Sequence, residues 1–421
     1  NIEVTSSLTA QKLHRRQFLH KDCQIMPKLD PMNKESNVFI SQSIYGGRKE
    51  YFNDGKIEHV TGIDINSSYP NVMRNKVYPD MIGYKERTGI SPDGLEDIMS
   101  KFEGLASVLI KAPYMKIPFL PVNIMSEDNI YGYGQWLATY TFPELRQAIK
   151  LGYEVKMVYK VGYCKPTKAP LFKNYVDTVY KLKLKPELKD VAKALLVGLS
   201  GKFGQRLGES SGWHIMSDEE LSEMGWEDYD PSIYKIGLNG QMNKYVTPSS
   251  VDDRGYSAKA YPLIYAYILS YARIELWDAM NAIGIDKVYY CDTDAIYADT
   301  AAVNRAVLRR YIKIHDTKLG HWKVEHENVT MDIKGIMNYR IFEGGEWQYT
   351  ISGTPKDKQA EMWDKGYCTI KLIRKRPMAI RHDVKLNSYY EVNINQPKRV
   401  EKRVFNGNKS EPRHIKDIFE M

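Results

Sequence analysis

The chain has 421 residues, 43% of them hydrophobic and 27% charged, so it can bury a real core and is not a disordered protein; its length suits two to three folding units or one large enzyme with subdomains. No apolar run approaches the ~18 residues of a membrane-spanning helix, no basic-then-apolar leader opens the chain, and the cysteines at 23, 164, 291 and 368 lie too far apart for a disulfide framework or a CxxC zinc site. The net charge is +8, and the last 57 residues, from Lys365, hold 14 basic and 6 acidic residues, so the excess is concentrated at one end and points to a polyanion partner such as nucleic acid.

In chain order, residues 59–65 (HVTGIDI) read as a buried strand. They run into Asn66-Ser67-Ser68-Tyr69-Pro70, a turn that opens a helix with a serine as N-cap. Thr141, Pro143 and Glu144 form a helix start of the capping-box type, and that helix is expected to run to about Lys150 and stop at Gly152. Residues 186–204 read as a second helix, and 205–256, rich in Gly, Ser, Asp and Trp, as an irregular insertion. Residues 258–282 are helical in composition, and 286–298 read as a hairpin turning at Asp292-Thr293. Strands and helices in this irregular order predict an α+β fold, not a doubly wound parallel sheet. The 31 tyrosines suit base stacking as well as cores.

Two acidic sites stand out. Asp64 ends an apolar strand, and Asp292 and Asp294 sit at a hairpin turn between apolar strands. Asp292 alone reads as an ordinary turn aspartate. Ionised carboxylates beside buried strands, however, are costly unless they are paired or bind a cation. If the two strands lie side by side, Asp64 and Asp294 can share two divalent ions about 3.5–4 Å apart, the arrangement that activates an attacking hydroxyl and stabilises a leaving oxygen. Mg2+ suits such a site, with Mn2+ as a substitute. In the helix after Glu187, spacing of four aligns Lys189, Lys193 and Val197, continued by Ser200, Gly201 and Gly204, while Leu195, Leu196, Leu199 and Phe203 form a core face. Cations there would bind a triphosphate, small side chains would admit a flat base pair, and Lys181 would add a third cation.

Together these segments resemble family B DNA polymerases, specifically the protein-primed branch of bacteriophages and linear plasmids. Residues 64–70 (DINSSYP) are similar to motif A, DxxSLYP; residues 193–203 (KALLVGLSGKF) to motif B, KxxxNSxYGKF; residues 290–296 (YCDTDAI) to motif C, YxDTDS. Residues 44–48 (IYGGR) are similar to the YxGG segment that joins exonuclease and polymerase parts. The resemblance implies an α+β right hand of palm, fingers and thumb with two insertions. The expected boundaries are 1–75 palm with motif A, 76–166 first insertion, 167–204 fingers, 205–256 second insertion, 257–364 palm with motif C, and 365–421 basic thumb. It implies Asp64 and Asp294 as metal ligands, with Asp292 as a less essential acid. Lys181, Lys193, Ser67, Ser68, Tyr69 and Ser200 would meet the nucleotide, Tyr69 excluding a ribose 2′-OH. Tyr45, Gly46, Gly47, Arg48 and Tyr339 would meet DNA. Implied partners are a DNA template and primer, dNTPs and a terminal protein as primer, with no membrane, in the cytoplasm of a host cell carrying a viral or plasmid replicon.

The sequence also departs from that pattern. Motif B carries Val197 and Ser200 where the family has Asn and Tyr, and KxY falls on Met337-Asn338-Tyr339, without its lysine. A loosened base-pair pocket and low fidelity are the expectation. Only 63 residues precede Asp64, too few for a proofreading exonuclease domain; the chain opens on Asn1, so the expectation is either no proofreading or a fragment. Two further readings compete: a nucleotidyltransferase of the same fold that needs little or no template, and a non-catalytic nucleic-acid-binding protein.

Overall fold

The computed structural model describes residues 6–19, 34–81, 83–123, 129–168, 170–205, 213–215, 234–236, 242–245, 260–373, 389–396 and 402–419. The apolar run before Asp64 forms the strand Gly55–Ile65, and residues 60–63 are buried on both faces, as in a strand inside a covered sheet. It lies fourth in a seven-stranded sheet of order 49–51, 288–292, 295–299, 55–65, 322–335, 338–343, 346–351. Its neighbours Ala295–Asp299 and Trp322–Gly335 both run antiparallel to it. The hairpin Val288–Asp292 and Ala295–Asp299 turns at Thr293-Asp294, one residue later than the sequence suggests.

A second sheet, of order 85–87, 154–164, 103–112, 134–141, occupies the region expected to be the first insertion. It is not energetically separate. Leu95, Val108, Trp136 and Phe142 share one apolar core with Ile63, Ile296, Trp277 and Ile415. The helix Phe142–Lys150 begins after Thr141, as expected, but the Thr141 hydroxyl makes no cap and donates to Ser270 Oγ at 2.9 Å. The helix Pro262–Ile283 is buried nearly all round, so its sequence shows composition and little amphipathic pattern.

The chain divides into two compact units: residues 1–205, 258–348 and 399–421, and residues 206–257 with 349–398. Within the second unit, most of the expected irregular insertion 205–256 lies outside the described residues. What is described there is β: Trp213–Ile215, Tyr234–Ile236 and Met242–Tyr245 form one three-stranded sheet. The same unit holds the helix Gln359–Lys365 and the hairpin of Tyr367–Ile373 with Tyr389–Asn395, around Met362, Trp363 and Cys368.

The expected basic thumb, 365–421, is therefore split. Its last part folds into the first unit as the hairpin Arg403–Asn406 and Lys409–Pro412. Arg403 is buried there, its Nη1 3.4 Å from Glu50 Oε1. Phe405 stacks on Tyr51 with centroids 4.7 Å apart, and the Ile415 amide donates to the Tyr133 carbonyl at 2.9 Å. Net charge could not reveal this, because Arg403 is held by a buried acid and not by solvent. Glu50, fully buried, also receives the Arg48 Nε at 2.7 Å. Glu50→Ala leaves two buried guanidiniums uncompensated and should cost about 3–5 kcal/mol, read as a lower midpoint in urea titration.

Candidate active site

Strand pairing sets the acidic pair. Asp64 lies opposite Ala295, and the Ile65 amide donates to the Asp294 carbonyl at 3.0 Å. Asp64 thus lies near the end of one strand and Asp294 in the turn that leads into the adjacent strand, one residue apart in register. On its other side Asp64 faces Lys323. Burial first, then the charges of Asp294 and Glu325, push the Asp64 carboxyl up to about 7, against Lys323 and Lys183. Burial and Asp292 push Asp294 up to about 6. Asp292 is fixed otherwise: Lys49 Nζ lies 3.2 Å from its Oδ1, and the Thr293 hydroxyl donates to the same oxygen at 2.9 Å.

Carboxyls held this far above their usual range are a local destabilisation that a divalent cation would relieve. Among the described residues no group of three or more His, Cys, Asp or Glu forms a ready-made cage. Two carboxylates still fit Mg2+, which is commonly bound through one or two carboxylates plus substrate phosphates and waters. The pH dependence follows in sign. A carboxyl whose folded pKa exceeds its unfolded value of about 4 contributes stability that is present below pH ~4 and lost as pH rises through about 6–7. At pH 8 in EDTA, Asp64→Asn should therefore melt higher than wild type; for a partly exposed group the expected rise is about 2 °C. Mg2+ should raise the wild-type midpoint and leave the variant's unchanged. A variant that melts lower in EDTA would contradict the repulsion.

The turn after Asp64 leads into the helix Ser68–Asn75. Ser67, expected as a capping side chain, has φ +58 and makes no side-chain cap; its hydroxyl instead accepts from Lys183 Nζ at 2.6 Å. The loop before Trp322 secures the turn: the Asn66 amide donates to the His321 carbonyl at 2.9 Å, and its side chain to the His315 carbonyl at 2.6 Å. Tyr69 is partly buried, and burial together with the charges of Tyr265 and Asp294 pushes its phenol up to about 12. Ser68 is buried at the helix start.

The cations are not all where the sequence put them. Burial and the nearby charges of Lys193 and Lys189 lower the Lys183 ammonium, while Asp64 opposes the shift. Lys183 thus stands within reach of Asp64 on one side and of the charges of Lys193 and Lys189 on the other. Lys181, chosen from sequence, is exposed. Periodicity could have separated them, because the buried stripe Val176, Val179 and Tyr180 continues to 183 and not to 181.

Motif B needs a correction. Val197 is 51% exposed, while Ser200 is 2% exposed and donates its hydroxyl to the Val197 carbonyl at 2.9 Å. Ser200 is buried along with Leu196, Leu199 and Phe203, although the seven-residue helical repeat brings it close to the Lys193 direction. Ser200 is not open to a nucleotide, and Val197 and Ser200 do not form one roomy pocket wall. Lys189, Lys193, Val197 and Gly201 are exposed along one stripe of the helix.

In the expected DNA-contacting segment Gly46 is exposed and Gly47 partly buried. Tyr45 is buried and Arg48 is 1% exposed; the Arg48 guanidinium donates to Glu50 and to the Pro118 carbonyl at 2.7 Å and stacks on Tyr131, 3.8 Å from its centroid. Gly46 gives its carbonyl to Asn129 Nδ2 at 2.9 Å, and Gly47 packs on Thr293. Tyr339 is partly buried and packs on Tyr290 and Tyr297, centroids 5.0 and 5.7 Å away.

Residues 1–278 match the family described as DNA polymerase type B, organellar and viral. A probable DNA polymerase of Podospora anserina is 27% identical over 356 residues, covering 77% of this chain and 28% of that protein. One of Neurospora intermedia is 25% identical over 298 residues, covering 68% and 29%. The chain thus spans less than a third of the length of these curated relatives. Among solved structures, phi29 DNA polymerase complexed with primer-template DNA and incoming nucleotide substrates superposes with a TM-score of 0.68 at 15% identity, covering 94% of this chain and 68% of that one. Its post-translocation binary complex with primer-template DNA gives 0.66 at 16% identity, covering 93% and 67%. At these identities the likeness concerns the fold.

Proposed function

This chain belongs to the type B DNA polymerases of the organellar and viral group, and from that premise we propose that it is a DNA-directed DNA polymerase joining dNTPs to a primer 3′-hydroxyl at the Asp64–Asp294 site. The observation that carries the proposal is the juxtaposition of two carboxyls raised to about 7 and about 6 with the Lys183 ammonium, which is bonded to Ser67 and feels the charges of Lys193 and Lys189. An acidic pair with an ammonium within reach suits divalent ions on one side and phosphates on the other.

Asp64 and Asp294 would hold two Mg2+ ions. Bound there, the ions supply Lewis-acid activation of the hydroxyl and neutralise charge on the transferring phosphate. The protein's own part is positioning and electrostatics. Lys193 and Lys183 face the triphosphate and neutralise the leaving pyrophosphate. Backbone N–H groups at the start of the Ser68–Asn75 helix point at the same phosphates. Tyr69 lies under the sugar. The primer hydroxyl is carried by DNA or, as the sequence resemblance implies, by a terminal protein.

The test is extension of a 5′-labelled primer on a longer template with four dNTPs. Extension to the template end with Mg2+, stopped by EDTA, supports the proposal; no extension with Mg2+ or Mn2+ refutes it. Within it, Tyr69→Val should raise ribonucleotide incorporation relative to deoxynucleotide by about 10–100-fold, the scale of one lost steric contact. An unchanged ratio would remove Tyr69 from the sugar pocket.

A further inference from the structure

We propose that Gly47 is a positioning residue for the Asp292–Asp294 turn: its missing side chain seats Thr293, and the segment Tyr45–Arg48 holds the acidic turn. This rests on the reading of that turn as part of the active site.

Thr293 has φ +57, a conformation that is an outlier for a β-branched residue. The Asp294 amide folds back to the Asp292 carbonyl at 2.6 Å, so the backbone bends tightly around Thr293. Such geometry persists only where the surroundings over-determine it. Two contacts do so here. The Thr293 amide donates to the Arg48 carbonyl at 2.7 Å. The Thr293 side chain lies against Gly47 so closely that a Cβ on Gly47 would stand 2.6 Å from its Oγ1 and 2.8 Å from its Cγ2. Neither atom can retreat freely, because Oγ1 is already bonded to Asp292 and the backbone beneath is pinned.

The bracket itself is fixed from three sides. Arg273 donates to the carbonyls of Tyr45 and, at 3.1 Å, Gly46, and is paired with buried Glu144 at 2.8 Å. Asn129 holds Gly46. Arg48 is clamped between Glu50, the Pro118 carbonyl and the Tyr131 ring. A guanidinium so committed has no free face for a phosphate. The next residue, Lys49, reaches Asp292. One short segment thus sets the backbone, the side-chain seat and the charge of the acidic turn.

The experiment compares Gly47→Ala, Thr293→Gly and the double variant. Three quantities are read: Mn2+ affinity without nucleotide, primer-template Kd, and kcat for single-nucleotide addition. Gly47→Ala should lower kcat by about 10²-fold, as a roughly 1 Å misplacement does, and weaken Mn2+ binding by about 10-fold. Primer-template Kd should stay within about 2-fold of wild type. Removing the Thr293 side chain in the double variant should restore Mn2+ affinity and most of kcat. Wild-type Mn2+ affinity and kcat in Gly47→Ala would overturn the proposal. So would weakened DNA binding that the double variant does not restore, since that marks a DNA contact. If Gly47→Ala fails to fold, recovery of folding and Mn2+ binding in the double variant supports the clash, and failure there too overturns it. Should wild type bind Mn2+ but extend no primer, the polymerase reading falls while the Mn2+ comparison still decides the role of Gly47.

Discussion

Asp294→Asn is expected to lower nucleotide addition by about 10³-fold or more, the upper range for removing one preorganised electrostatic group, with primer-template binding nearly unchanged. Asn is isosteric and keeps the turn: the Asp294 amide and carbonyl that tie it to Asp292 and Ile65 belong to the backbone. What is lost is one of the two charges able to hold a cation between adjacent strands. Asp64→Asn should act alike, and the double variant should be little worse than either single one, because the residues act as a unit. Addition by Asp294→Asn within 10-fold of wild type would mean that the acidic pair is structural.

The second large effect concerns the lysines. Lys193→Ala should reduce kcat/KM for dNTP by about 10²–10³-fold, as expected for a charge placed where negative charge develops, and Lys183→Met should fall in the same range. Lys183 loses more than a charge, since its ammonium also holds Ser67, so its variant should raise KM as well. Lys181→Ala is the control: exposed and pointing away from the buried stripe, it should stay within about 3-fold, the scatter of ordinary surface substitutions. Steady-state single-nucleotide kinetics with a saturating primer-template separates the three. A Lys181 defect equal to that of Lys183 would reverse the placement read from helix periodicity.

The acidic pair was legible because strands announce themselves by apolar runs, and a charged residue at the end of such a run needs a reason. Helix Lys189–Phe203 was legible in extent, but not in which side each residue faces: Ser200 sits close to the Lys193 direction on a helical wheel, yet packing buries it. Lys183 was missed because motif spacing, and not the buried stripe before it, chose the lysine. The contacts of the Tyr45–Arg48 segment were not legible for a different reason: they are made with Thr293, Arg273, Pro118 and Glu50, far apart in sequence, and no local pattern encodes those partners. The burial of Arg403 was hidden similarly, since it balances Glu50 across 353 residues of chain.

Template direction is the central claim, and one measurement tests it most directly. Four primer-templates that differ only in the first unpaired template base are each offered each dNTP singly, with Mg2+, and the sixteen initial rates are compared. The proposed polymerase adds the complementary nucleotide fastest on every template, with discrimination of at least ~10-fold, the smallest preference that one shape-dependent contact confers. Rates that follow the nucleotide and ignore the template base would instead identify a transferase on the same fold and contradict the assignment.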